Sequence, residues 1–202
     1  MLNGIGIASL VILAVNIGLG LATLSNPRLV ERLVFRPYDY ARDRNRHTII
    51  TSAFAHADLP HLAFNMITFY YFGATLLERR IGTPLFITLY TLGLLLSQLG
   101  SYRKHRNDPD YATLGASGAI SAVLFAAVVY YPTMSMYMFF IPIPIPAVLF
   151  AVGYLAYTWW SSRQNRGRIN HDAHFGGALT GLAFVAITDP RAWSRAFHLI
   201  AG

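Results

Sequence analysis

Apolar residues in this chain gather into six long runs that are separated by short polar segments. Each run approaches the roughly 20 residues with which a helix crosses about 30 Å of hydrocarbon. The predicted spans cover residues 4–24, 59–77, 84–101, 115–131, 146–161 and 173–188. The first run lacks the basic start and the cleavage site of a signal peptide, so we expect it to be retained. This pattern predicts an all-α polytopic membrane protein, a six-transmembrane-helix bundle in a single domain over residues 1–202.

Two connecting segments have patterns of their own. Residues 25–58 interleave charged side chains with apolar ones such as Leu29 and Phe35, which predicts a partly structured loop in the membrane interface. Residues 141–146 alternate isoleucine with proline, and proline favours an extended backbone while lacking an N–H donor. We therefore expect a stiff connector at the membrane surface between the fourth and fifth spans.

Composition narrows the class of protein further. Hydrophobic residues make up 54% of the 202 residues and charged residues 12%, about half the charged share of an ordinary soluble domain. These values exclude disorder and a soluble nucleic-acid-binding globule, so we expect a lipid bilayer and no nucleic acid as partner. The absence of cysteine excludes disulfides, thiolate metal sites and a cysteine nucleophile.

The distribution of basic residues predicts which loops face the cytoplasm. The net charge is +7, and loops after the first, third and fifth spans carry 12 of the 16 lysines and arginines. Because short cytoplasmic loops are enriched in basic residues, this count by itself places those three loops in the cytoplasm.

Polar residues within the spans are candidates for function, because a polar group in hydrocarbon is expensive. Ser117 lies in the first turn of the fourth span, where backbone N–H groups have no partner within the helix. These donors and the helix dipole can stabilise an oxyanion beside the serine. Gly115 and Gly118 lack side chains that would block a substrate carbonyl. The alternative is a packing face of small residues formed by Gly118, Ala122 and Ala126.

A histidine at the start of the sixth span is suited to act as the base of that serine. His174, Gly177 and Gly181 share one helical face, and the glycines allow a neighbouring helix to come close. If that neighbour is the fourth span, His174 can reach Ser117 from the same side of the membrane. We interpret His171 as an interfacial residue, and Asp172 lies on another face of the helix, which predicts a Ser-His dyad without a third, acidic member.

Further polar groups lie near the same end of the second span. His61 and Asn65 are four residues apart and share a helical face, so both can donate hydrogen bonds to one point. Two neutral donors are suited to an oxyanion hole, and His56 precedes them in the loop. The alternative is an interhelical polar contact that only fixes packing. Taken together, serine, histidine and amide donors at one depth predict acyl transfer by a serine nucleophile.

The ordered set of motifs resembles the rhomboid intramembrane serine proteases over about residues 51–188. The motifs are His56-x4-His61-x3-Asn65, then Gly115-Ala116-Ser117-Gly118, then Ala173-His174-Phe175-Gly176-Gly177-x3-Gly181. The resemblance implies a six-helix bundle with a water-filled site below the membrane surface. It also implies hydrolysis of a peptide bond in or near a transmembrane segment of single-pass or multi-pass membrane proteins, without cofactor or metal.

The resemblance assigns roles to these residues. Ser117 becomes the nucleophile and His174 the general base and acid. His61, Asn65 and the Ser117 N–H become the oxyanion hole with His56 assisting, and Gly177 supports the helix contact. The resemblance further implies a bacterial cytoplasmic (inner) membrane with both termini in the cytoplasm, opposite to the arginine count, and we favour that orientation.

The sequence departs from the family pattern in two places. Many bacterial members have Trp-Arg in the first loop where this chain has His47 and Thr48. Members often carry an aromatic residue one turn after the nucleophile, against which the histidine ring stacks, and here that residue is Ser121. We therefore expect another contact to hold His174, with a hydrogen bond to Ser121 as the first candidate.

Other functions compete with the protease. The same fold could be a non-proteolytic binder or chaperone of membrane helices, but such relatives typically lose the serine or the histidine. A metal-dependent protein would use His56, His61, His171 and His174, but the chain lacks a His-Glu-x-x-His helix and cysteine. A small-solute transporter is disfavoured because no inverted repeat is visible.

Overall fold

The computed structural model describes residues 5–138, 141–164 and 169–202, and these are predominantly helical. The helices in chain order are α1 (Ile7–Ser25), α2 (Pro27–Leu33), α3 (Pro37–Tyr40), α4 (Thr48–Thr51), α5 (Leu59–Phe69), α6 (Glu78–Ile81), α7 (Thr83–His105), α8 (Ser117–Tyr130), α9 (Ala147–Gln164), α10 (His171–Thr188) and α11 (Pro190–Ala201). A 3-10 turn, Ser52–Phe54, follows α4, and a π-helical segment, Tyr70–Leu77, joins α5 to α6. The predicted spans therefore each fall on helix, with ends shifted by a few residues.

Helices α7, α8 and α10 form the most closely packed part of the bundle. The contact between α8 and α10 advances from Gly118 and Gly177 to Ala122 and Gly181, so the two helices run parallel. A Cβ at Gly177 or Gly181 would overlap the backbone carbonyl that faces it on α8. Glycine is therefore required at both positions for the two backbones to approach this closely.

Helix α7 runs antiparallel to that pair and seals it on one side. Gly93 of α7 lies against Ala122, and Ser97, one turn later, lies against Gly118. Helix α8 is consequently buried along nearly its whole length, from Gly118 to Val129. A helix that is apolar on all sides is typical of the centre of a bundle.

A buried carboxylate of α6 holds the start of α1. Glu78 of α6 is 2% exposed and accepts hydrogen bonds from the Ser9 N–H at 2.8 Å and the Thr83 hydroxyl at 2.8 Å. The Ala8 N–H donates to the same carboxylate at 3.2 Å. The negative charge lies at the amino end of α1, where the helix dipole stabilises it.

The loop between α1 and α5 is folded, as its mixed pattern predicted. It contains α2, α3, α4 and the 3-10 turn. Three of its arginines pair with acids of the same loop: Arg36 with Glu31 at 2.8 Å, Arg44 with Asp39 at 2.7 Å, and Arg46 with Asp43. Local carboxylates therefore neutralise part of the basic charge in this loop.

The connector between α8 and α9 differs from the prediction, and it adds β-structure to the expected all-α fold. Ile141–Pro146 forms strand β2, which pairs antiparallel with β1, Ser135–Met138. Ser135 lies opposite Pro146, and Met136 lies opposite Ile145. The extended backbone that proline imposes was expected, but its pairing partner lies in a segment without a clear strand pattern. Proline is tolerated because this two-stranded sheet leaves an open edge.

Two helices among the described residues, α1 and α7, have both the length and the hydropathy of a membrane-crossing helix. Helix α8 is apolar but has 14 residues. Helices α9 and α10 have 18 residues each and fall short in hydropathy, since polar residues interrupt them. The count of six spans therefore stays a prediction.

Candidate active site

Ser117 begins α8 and is half-buried. The turn before it depends on Gly115, whose φ of +111° is unfavourable for a residue with a side chain. The Gly115 N–H donates to the Ser52 carbonyl at 2.9 Å, and Thr113 exchanges two backbone hydrogen bonds with Phe35. The folded loop after α1 thereby holds the chain that delivers Ser117.

His174 lies in the first turn of α10, and its imidazole faces Ser117. The distance between His174 Nε2 and Ser117 Oγ is 2.7 Å. Asn170 caps this helix by accepting a hydrogen bond from the Ala173 N–H at 3.0 Å, which sets where the first turn begins. The Gly177 contact with Gly118, one turn deeper, brings the two helix ends together.

The ring of His174 is covered by Tyr154 of α9. The two rings are nearly parallel, with an interplanar angle of 16° and centroids 6.2 Å apart. The predicted hydrogen bond from His174 to Ser121 is absent from the contacts of the described residues, because the Ser121 hydroxyl lies 3.1 Å from the Tyr154 hydroxyl. The small Ser121 side chain leaves room for an aromatic residue, and α9 supplies it.

No carboxylate bonds to His174 among the hydrogen bonds of the described residues. Asp172, the nearest acid in sequence, pairs with Lys104 of α7 at 3.2 Å. Asp172 is therefore paired with α7, and a Ser-His dyad without a third, acidic member stays a prediction.

Helix α5 carries His61 and Asn65 on one face. The His61 ring lies so close to Gly115 that a Cβ there would be 2.7 Å from His61 Cε1. The Asn65 amide is buried and donates one hydrogen bond to the His61 carbonyl at 3.1 Å. The amide has a second N–H, and the His61 ring lies against Gly115, which precedes Ser117 by two residues in the sequence.

Gly118 has a different environment from the open approach that the sequence suggested. A Cβ at Gly118 would lie 2.6 Å from the Ser97 Cβ of α7. The space beside Gly118 is therefore filled by helix packing. The sequence gives no signal for this contact, because Ser97 belongs to a helix without an obvious motif.

His56 is 1% exposed and packs between α1 and the ring of His61. Its ring centroid is 5.1 Å from that of His61, and its Nδ1 faces Gly20. Burial, and then the nearby His61, lower the pKa of His56 to about 4. The folded protein thus holds this imidazole in its neutral form at physiological pH.

The first-loop residues that replace Trp-Arg have structural contacts. The Thr48 hydroxyl donates to the Asn45 carbonyl at 2.7 Å, and His47 Nε2 lies 3.3 Å from the Arg32 carbonyl. Both residues therefore stabilise the loop near α4.

His171 is buried by its neighbours, and the interfacial depth that the sequence suggested stays a prediction. Its ring lies 5.4 Å from that of Tyr157 and 6.3 Å from that of His174, both at nearly perpendicular angles. Across residues 5–138, 141–164 and 169–202, no three His, Asp or Glu side chains group as a metal site would require.

The arrangement is suited to acyl transfer. A serine hydroxyl within hydrogen-bond distance of a neutral imidazole can lose its proton as the oxygen attacks a carbonyl. Free N–H groups at the start of α8 and the neighbouring His61 can then stabilise the resulting oxyanion. Sequence reasoning missed Tyr154 and the burial of His171, since neither contact has a signature in local spacing.

Comparison with known families matches residues 43–191 to the model described as Rhomboid domain. The chain is 32% identical over 164 residues to RHOMBOID-like protein 12, mitochondrial, of Arabidopsis thaliana, covering 74% of this chain and 46% of the relative. It is 30% identical over 163 residues to Rhomboid protein 1, mitochondrial, of Saccharomyces cerevisiae, covering 78% and 45%. It is 24% identical over 183 residues to Rhomboid-like protein 16, chloroplastic, of Arabidopsis thaliana, covering 82% and 56%.

These relatives correct the expected location of the protein, and they are longer than this chain. Their names are mitochondrial or chloroplastic, which points to organellar membranes, so the predicted bacterial cytoplasmic membrane is wrong. That location was inferred from the resemblance alone, because the spacing of the motifs does not indicate in which membrane a protein lies. The chain spans about half the length of the curated relatives it matches.

Proposed function

Because the chain belongs to the rhomboid family, we propose that it is an intramembrane serine endopeptidase of an organellar membrane, acting through Ser117 and His174. Its substrates are membrane proteins that are cut in or near a transmembrane segment. The observation that carries this proposal is the 2.7 Å separation of His174 Nε2 and Ser117 Oγ. The distance suits proton transfer from the hydroxyl to the imidazole.

The proposed reaction proceeds in two halves. Ser117 Oγ attacks the scissile carbonyl carbon while His174 Nε2 takes the hydroxyl proton, and the imidazolium then protonates the leaving amine. An acyl ester on Ser117 remains. Water loses a proton to His174 and attacks that ester; as the bond between the acyl carbon and Ser117 Oγ breaks, the imidazolium returns the proton to Oγ, which releases the carboxylic acid and restores both residues.

Three donors would stabilise the oxyanion of each tetrahedral intermediate. They are the Ser117 N–H, the His61 ring and the free N–H of the Asn65 amide. Such donors contribute more in a site from which bulk water is largely excluded. Tyr154 would act as a positioning residue, because its ring covers the imidazole without touching the reacting atoms.

The proposal includes a single membrane domain with six crossing helices. Six crossings require both termini on one side of the membrane, and reporter fusions at the two ends test that requirement.

Ser117→Ala and His174→Ala test the dyad in the purified chain, reconstituted with a model transmembrane substrate. We expect each variant to reduce cleavage by at least about a thousandfold, the scale seen when a member of such a unit is removed. A fluorophosphonate should label the wild type and leave Ser117→Ala unlabelled. Ser194→Ala and His198→Ala, at exposed positions, are the matched controls and should cleave normally.

Residual cleavage near the wild-type rate in either dyad variant would refute the proposal. A wild-type chain that binds the substrate helix but neither cleaves it nor takes the fluorophosphonate would instead identify the non-proteolytic binder.

A further inference from the structure

A cavity of about 270 Å³ lies at the end of the bundle opposite Ser117. It opens where α8 ends, some 20 Å along the helix axis from the serine, given 14 residues at about 1.5 Å each. Arg80 of α6, Tyr130 and Tyr131 at the end of α8, and Arg195 and Leu199 of α11 line it. We call it the arginine cavity.

The arginine cavity carries a surplus of positive charge. Two guanidinium groups line it, and one nearby carboxylate, Asp189, accepts a hydrogen bond from Arg195 at 2.7 Å. The guanidinium carbon of Arg80 lies 5.1 Å from the ring centroid of Tyr130, a cation–π contact that orients the side chain along the wall. Because the Tyr130 hydroxyl also bonds to Asp189, the Tyr131 hydroxyl and one net positive charge remain for a ligand, which suits a singly charged phosphate diester.

Helix α11 indicates the depth of this cavity relative to the membrane. Its residues fall into three stripes, each with spacing i, i+4 and i+7. The first stripe is Ala192 and Ala196, buried against the bundle, with Leu199 at the cavity; the second is Trp193, Phe197 and Ile200, exposed and apolar; the third is Arg191, Arg195 and His198, polar. A helix with this pattern lies in the interface, with its apolar stripe in the acyl region.

The cavity between α11 and the bundle is therefore at the level of lipid headgroups. Its lining continues from the arginines to Val129 and to Leu199, which is 60% exposed. A lipid phosphate beside the arginines would place its glycerol and acyl carbons along these apolar side chains. Basic pockets between membrane helices are suited to headgroups of this kind.

We propose that the arginine cavity binds the phosphate of an anionic phospholipid. The site is separate from Ser117 and His174, and it stands whether or not the chain cleaves peptides. Bound lipid would join α6, α8 and α11 through one headgroup, since each of these elements contributes to the lining.

The test compares two double variants of the full chain, delipidated in neutral detergent and titrated with cardiolipin. Bound lipid is counted by native mass spectrometry. Arg80→Gln with Arg195→Gln should weaken binding about tenfold or more, because each arginine near a headgroup contributes to affinity. Arg79→Gln with Arg191→Gln removes the same charge from neighbouring residues outside the lining, and it should weaken binding less than about threefold.

Headgroup chemistry is tested with other ligands on the wild type. Phosphatidylglycerol should bind, and phosphatidylcholine, whose phosphate is neutralised by its own cation, should bind at least about tenfold more weakly. Leu199→Glu is a second variant that leaves the Arg195–Asp189 pair in place. It should weaken cardiolipin binding as well, since it adds a negative charge beside the lining.

Three outcomes would overturn the proposal. Equal losses in the two double variants would mean that only the general surface charge attracts lipid. Equal affinity for phosphatidylglycerol and phosphatidylcholine would mean that net headgroup charge is not recognised. Displacement of cardiolipin by inorganic phosphate at comparable concentration would identify a site for the free ion.

Discussion

Helix α10, which carries His174, and helix α9, which packs a ring beside it, position the imidazole in opposite ways. Helix α10 approaches α8 with backbone against backbone at Gly177 and Gly181. Helix α9 reaches the imidazole through the side chain of Tyr154, and Gly153 beside it has nothing within 4 Å of where a Cβ would lie. The place of His174 is thus set by backbone packing of α10 against α8, and the orientation of its ring by one aromatic side chain of α9.

This difference follows from composition. Small residues at the α8–α10 contact remove the side chains that would otherwise separate the backbones. Helix α9 buries four small residues, Ala147, Ala151, Thr158 and Ser161, and leaves large ones such as Trp160 exposed. We expect substitutions on α10 to damage both fold and activity, and substitutions on α9 to damage activity more selectively.

Among the substitutions that test this difference between α9 and α10, Gly181→Ala should have the largest effect on stability and cleavage. The new methyl group would overlap the Ala122 carbonyl, so the helices must separate. Overpacking of this kind costs about 2 kcal/mol or more, which lowers the midpoint of thermal unfolding by about 4–8 °C. Cleavage should fall more than about tenfold as Nε2 leaves Oγ.

Gly153→Ala is the matched control for that experiment. The position is open, and alanine favours helix over glycine, so the unfolding midpoint should stay the same or rise slightly. Equal destabilisation by the two substitutions would abolish the distinction between the two helices.

Tyr154→Ala should have an intermediate effect. Loss of the ring frees the imidazole to rotate, and we expect cleavage to fall about tenfold while the unfolding midpoint changes by a few degrees at most. Tyr154→Phe keeps the ring but loses the contact with Ser121, and it should recover most of the rate. Rescue by phenylalanine separates positioning of His174 from general packing, and a phenylalanine variant as slow as the alanine variant would argue against ring cover.

The last prediction concerns stability at low pH rather than the contrast between α9 and α10, and it involves His56, which lies between α1 and His61. Its pKa of about 4 in the fold lies below the 6.5 expected when unfolded, so protonation favours the unfolded chain. The contribution is complete above about pH 6.5 and is lost as the pH falls toward 4. At pH 5 the loss is about 2 kcal/mol, and the unfolding midpoint should fall by about 5 °C relative to pH 7.5.

His56→Gln should remove the part of this pH dependence that His56 contributes, about 5 °C between pH 7.5 and 5, whereas His198→Gln, at an exposed position, should leave it intact. The measurement is the unfolding midpoint of each variant as a function of pH. An equal change of the midpoint in the wild type and in His56→Gln would show that the fold does not lower the pKa of His56.

Much of the architecture could be predicted from the sequence, because helices in hydrocarbon require long apolar runs. The proximity of Ser117 and His174 could be anticipated, since Gly177 and Gly181 mark a face on which another helix comes close. The contact between Tyr154 and the imidazole could not be predicted, because periodicity shows which face of a helix is buried but does not show which residue of another helix packs against it. The strand pair was missed because β1 has no alternating pattern, and the covering of Gly118 by Ser97 depends on a distant helix.

The backbone contact between α8 and α10 has a consequence for how this protein loses activity. The two helix ends that carry Oγ and Nε2 are held together by main-chain contact one turn below them, so the helices cannot separate without loss of that contact. Heat or harsh detergent should therefore inactivate the molecule in the same cooperative event that disrupts the bundle, with no earlier, folded but inactive form.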